Sequence, residues 1–113
     1  MGNDMKHLPT VSRAKEEIEY LQDYVLLAET YHANTLEKRI IKLYAYTGSI
    51  QKVTAQINEE QESQNLSLID TAFVSQTIQS RAKDPLHRIL RTNYMNKTKH
   101  TRKKPSERGH YSY

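Results

Sequence analysis

Phe73-Val74-Ser75-Gln76-Thr77-Ile78-Gln79 is the stretch on which the reading of this chain turns. Val74 and Ile78 lie one helical turn apart, and Ser75, Gln76 and Gln79 fall on the opposite face. Asp70 is placed to cap such a helix, with Thr71 and Ala72 at its leading edge. The spacing predicts a short helix over 70–81 that turns Phe73, Val74 and Ile78 inward. Amide and hydroxyl groups on a thin, solvent-facing helix are what reading base edges in a DNA major groove requires.

Two short amphipathic helices precede it. Leu36, Ile40, Leu43 and Tyr44, backed by Ile41, share one face, with Asn34 or Thr35 as the cap and Thr47-Gly48 as the stop. Ser49 then caps a second helix with Ile50, Val53 and Ile57 at i, i+3 and i+7. Asn58-Glu59-Glu60-Gln61-Glu62-Ser63-Gln64-Asn65 contains no apolar residue and is read as a loop, following at most one last helical turn. Leu66, Leu68 and Ile69 suffice for a short extended anchor. Downstream, Asp84-Pro85 marks a helix start, Asp as N-cap and Pro at the first helical position. Leu86, Ile89, Leu90 and Tyr94 give that final helix an apolar face, with Arg88 and Arg91 on its other side.

The longest helix is expected at the front, over residues 12–33, which no Gly or Pro interrupts. Ser12 is its expected cap, and Glu16 and Glu17 suit the positive end of its macrodipole. Ala14, Ile18, Leu21, Val25 and Ala28 repeat at spacings of four and three, and Tyr20, Tyr24, Leu27 and Tyr31 form a second stripe. That apolar surface is wider than one partner helix needs. The expectation is core packing together with a contact to a second copy.

The net charge of +4 conceals a division. Residues 1–80 hold 7 Lys/Arg against 11 Asp/Glu, whereas residues 81–113 hold 10 Lys/Arg against 2 Asp/Glu. An acidic front and a cationic rear suit a body with a polyanion-seeking end, as opposed to a merely solubilising tail. Without Cys, disulfides and thiolate metal sites are excluded. No apolar run approaches membrane-spanning length and residues 1–10 lack a signal-peptide core, so a cytoplasmic location without membrane contact is expected. The five His residues are scattered, the three Gly residues build no phosphate loop, and no Ser-His-Asp or paired-carboxylate arrangement is discernible. Catalysis, a metal and a cofactor are therefore not expected.

Two of these segments carry a resemblance. Thr47-Gly48-Ser49-Ile50-Gln51-Lys52-Val53-Thr54-Ala55-Gln56-Ile57 resembles the first helix of a bacterial or phage helix-turn-helix, and Thr71-Ala72-Phe73-Val74-Ser75-Gln76-Thr77-Ile78-Gln79 is similar to its recognition helix. The likeness covers residues 36–82 and points to small regulators and DNA-packaging or replication accessory proteins of phages and plasmids. It departs from the pattern in the connection: three or four residues usually join the two helices, and here the long run 58–69 does. Asn58 stands where the turn Gly is usual, and Thr54 or Ala55 must be the small residue at the helix crossing.

The resemblance implies that Thr71, Ala72, Ser75, Gln76 and Gln79 read bases, since Gln bonds adenine in bidentate fashion and Thr or Ala methyls meet the thymine methyl. It also implies that Ser49 and Lys52 fix the register on phosphates. Arg81, Lys83, Arg88, Arg91, Lys97, Lys99, Arg102, Lys103 and Lys104 would supply further phosphate contacts. The alternative for Gln76 and Gln79 is an ordinary solvated face.

The expectation is thus an all-α protein of about five helices. A flexible N-terminus (1–11) precedes a helical DNA-binding domain (12–96, helix-turn-helix about 49–81), and a basic disordered tail (97–113) follows. It would bind double-stranded DNA as a homodimer through helix 12–33, regulating transcription or assisting replication or partition. Two further readings remain open: an RNA-binding or RNA-polymerase adaptor whose tail is the working part, and an assembly protein built on the long first helix.

Overall fold

The computed structural model describes residues 8–101, and among these the chain forms five α-helices and no strand. It divides into two compact units, Met1–Tyr31 and His32–Tyr113. None of the helices is long and apolar enough to cross a membrane. Of the flexible start expected at residues 1–11 and the basic tail expected at 97–113, residues 1–7 and 102–113 lie outside the described residues.

The first unit contains α1, Val11–Glu29. Thr10 rather than Ser12 caps it, its hydroxyl accepting from the Arg13 amide at 3.2 Å. The helix ends at Glu29 with Thr30 as its C-cap, four residues short of expectation. Its tyrosine stripe is half-buried at Tyr24, Leu27 and Tyr31, but Ile18, Leu21 and Val25 remain open to solvent.

The second unit is built from α2 (Leu36–Thr47), α3 (Ile50–Ser63), α4 (Thr71–Gln79) and α5 (Pro85–Thr98). Each starts behind a capping side chain. Thr35, Ser49, Asp70 and Asp84 all accept a hydrogen bond from the backbone amide three residues on. A left-handed Gly48 (φ +64°) ends α2, its amide bonded to the Tyr44 carbonyl at 2.8 Å. A side chain there would be strained even though open space surrounds it.

The apolar faces meet as their spacing requires. α2 packs on α3, α4 and α5, and α4 packs on α3 and α5. Ile40, Ile41, Val53, Ile57, Val74, Ile78 and Leu86 are fully enclosed. Tyr44 meets Tyr94 edge-on, with ring centroids 6.0 Å apart. Buried Thr54 and Thr77 turn their hydroxyls onto the carbonyls of Ile50 and Phe73, so no buried side-chain polar atom among the described residues lacks a partner. Of the two small residues considered for a crossing on α3, Thr54 is buried and Ala55 is exposed.

Three expectations change. The acidic run 58–63 is helical, because Glu and Gln are good helix formers and a helix projecting into water needs no apolar face. Its end is a Schellman motif: Leu66 N–H bonds the Gln61 carbonyl at 2.8 Å and Asn65 N–H bonds that of Glu62 at 3.1 Å. The left-handed residue is accordingly Asn65 (φ 57°), not Asn58. Phe73 lies outside the core, 36% exposed, and Thr77 takes the inward position. Finally, α5 runs to Thr98, so Lys97 is helical, with its ammonium 5.7 Å from the centre of the Tyr44 ring.

A candidate nucleic-acid interface on the fourth helix

Nine residues make a short helix, marginal by itself, and α4 is held on three sides. Val74, Thr77 and Ile78 sink into the core. The preceding chain is fixed by Asn58, whose side-chain amide donates to the Ile69 carbonyl at 2.9 Å while its oxygen accepts from the Ile69 amide at 2.8 Å. The Gln61 amide adds a bond to the Ser67 carbonyl at 2.9 Å. A connection longer than the usual helix-turn-helix turn is thereby tied back onto α3, one residue before the cap of α4. Replacing Asn58 with Ala should cost about 1–3 kcal/mol, since both backbone groups of half-buried Ile69 lose their partner. Thermal unfolding checks this, and Asn58→Asp, which keeps only the acceptor, should fall between the two.

The third support is α5. His87 Nε2 lies 3.1 Å from the Ile78 carbonyl, and Arg91 Nε donates to the Gln79 carbonyl at 2.8 Å. These satisfy carbonyls that a helix C-terminus would otherwise leave open. Tyr94 Oη and Ser75 Oγ are 2.8 Å apart, and Gln79 Nε2 donates to the same Ser75 oxygen at 2.8 Å.

The expected base-reading set is thereby divided. Thr71, Ala72 and Gln76 are exposed, whereas Ser75 and Gln79 are half-buried and joined to each other, with Ser75 also bonded to Tyr94. Phe73, read from sequence as core, shares the exposed side with Ala72 and Gln76. A Phe ring, like the Ala and Thr methyls, can make apolar contact with a thymine methyl.

The cations divide as well. Lys52, Arg81, Lys83, Arg88, Lys97 and Lys99 are exposed, and Arg91 is half-buried on its Gln79 bond. Ser49 is half-buried, with its hydroxyl accepting from the Lys52 amide at 3.2 Å. Arg102, Lys103 and Lys104 lie outside the described residues.

Of the acids near this edge, Glu60 is neutralised by Arg39 in a two-point pair of 3.1 and 2.6 Å. The Arg39 guanidinium, chiefly through this hydrogen bonding, holds the Glu60 carboxyl below its ordinary 4.5, and Glu60 in turn raises Arg39. A lowered carboxyl favours the folded state in its ionised form. The contribution is therefore full above the ordinary value and fades as the pH drops through the lower, folded one. Both side chains are about a third exposed, which keeps the pair within about 1 kcal/mol. Glu59 and Glu62 are exposed and border an open groove along α3 with Lys52, Gln56 and Leu68.

Among the described residues, no group of His, Cys, Asp or Glu is gathered in a way that would hold a metal. Comparison with protein-family models, curated proteins and solved structures finds no match.

Proposed function

We propose that this chain is a sequence-directed, double-stranded-DNA-binding protein of the helix-turn-helix kind, a regulator of transcription or an accessory factor in replication or partition of the phage or plasmid type, working in the cytoplasm. α4 would enter the major groove. Gln76 would bond a base edge, with Ala72, Phe73 and Thr71 making apolar contacts, and Ser75 and Gln79 would hold the helix rather than read sequence. Lys52, Arg81, Lys83 and Arg88 would contact phosphates, which position the protein without specifying sequence.

The observation that carries this reading is the asymmetry of α4. One side is locked by the core, Asn58, His87, Arg91 and Tyr94, while the other presents an amide, a hydroxyl, a methyl and a ring to solvent. Recognition helices need that combination, because a base contact discriminates only if its backbone cannot shift. The cationic C-terminal third of the sequence supports a second reading, in which the tail binds RNA or docks on a protein such as RNA polymerase.

Competition among duplex DNA, structured RNA and heparin separates the two. Duplex displacing both others at equal phosphate concentration is the expected result. Equal displacement by RNA or heparin would favour the tail.

A further inference from the structure

The aliphatic stripe of α1 follows a heptad register. With Val11 at an a position, a is Val11, Ile18 and Val25, and d is Ala14, Leu21 and Ala28. Ala28 is already buried, but Ile18, Leu21 and Val25 are 55%, 52% and 49% exposed, and Val11 more so. Ile18, Leu21, Gln22 and Val25 line a shallow apolar depression on the helix surface. Isolated exposed aliphatics are ordinary on a protein surface, whereas a continuous a/d row on one helix is not.

We infer that α1 is a self-association element that pairs with α1 of a second copy as a short two-stranded coiled coil. The residue types select this occupant. β-Branched side chains at every a position, with Leu at the central d, favour two strands. Charge agrees. Arg13, Glu16, Glu19 and Asp23 occupy the outer positions b, c and f, away from the seam. The flanking positions are Lys15, Gln22 and Glu29 at e and Glu17 and Tyr24 at g. In a parallel pair Glu17 faces the partner's Gln22 and Tyr24 the partner's Glu29, so no like charges oppose one another. A two-fold contact requires a self-complementary surface, and this row supplies one. At 19 residues α1 is shorter than three heptads, so the association is reversible and concentration-dependent. Pairing through α1 does not depend on what the second unit binds.

Sedimentation equilibrium of the full chain across the micromolar range tests it. Wild type should pass from monomer to dimer as concentration rises, and Ile18→Glu or Leu21→Glu should weaken that step at least about tenfold, because each places a charge in the seam. Circular dichroism melting at low concentration, where wild type is monomeric, should show both variants as stable as wild type. A wild type monomeric throughout, or one forming trimers, would overturn the proposal. So would dimers that both variants leave unchanged. Variants that melt markedly lower as monomers would also overturn it, since the stripe would then be held by its own chain.

Discussion

Ile78→Ala should lower stability by about 2–5 kcal/mol, and Phe73→Ala, five residues earlier on the same helix, by clearly less, about 1–2 kcal/mol. The contrast follows from placement. Ile78 is fully enclosed where α4 meets the core, so truncation leaves a cavity that its close-packed neighbours cannot fill. Phe73 is already about a third exposed, so its truncation opens no enclosed cavity. In a domain of this size each kcal/mol moves the midpoint by about 4–8 °C, so the two variants should separate plainly in a thermal melt. Equal destabilisation would place Phe73 back in the core and remove it from the proposed interface.

Changing Lys52, Arg81, Lys83 and Arg88 together to Gln should make the log-log salt dependence of duplex binding shallower by up to roughly 3.6, at about 0.9 per phosphate contact. Affinity should fall for every duplex alike, since phosphates carry no sequence information. All four side chains are exposed, so the fold should be unaffected, and a melt beside the titration verifies that. Arg91 does not belong in this set: its bond to the Gln79 carbonyl means that removing it disturbs α4 as well as charge. An unchanged slope would move phosphate binding to the remaining cations.

Most of the fold is legible in the sequence because its signals are local. Asp84-Pro85, Ser49, Asp70 and Gly48 mark ends through chemistry that depends on the next three or four residues. The 3.6-residue spacing of Ile40, Leu43, Val53, Ile57, Val74 and Ile78 places the inner faces. The acidic stretch after Ile57 misleads because missing apolar residues signal solvent exposure, and an exposed segment can be loop or helix. Helix propensity and Asn65 settle it as helix. Phe73 misleads because hydrophobicity states what a side chain prefers, and the register of α4 leaves room inward only for Val74, Thr77 and Ile78.

The site is less legible than the fold because its supports are non-local. Asn58 reaches Ile69 across eleven positions, and Arg91 reaches the Gln79 carbonyl across twelve. No periodicity encodes either. Ser75 and Gln79 are the right residue types for base reading, yet Ser75 bonds Tyr94 on another helix and Gln79 bonds Ser75. Gln76 is exposed beside that cluster, where it can face a ligand.

Base reading by α4 is the central claim, and selection of bound duplexes from a random pool, followed by titration of the enriched duplex against a scrambled one, tests it most directly. Wild type should enrich a defined motif, and Gln76→Ala should lose about 1–3 kcal/mol of discrimination while keeping its salt dependence. A pool with no enriched motif would contradict the account. So would a preference that survives Gln76→Ala and vanishes on removal of residues 97–113, because recognition would then belong to the tail.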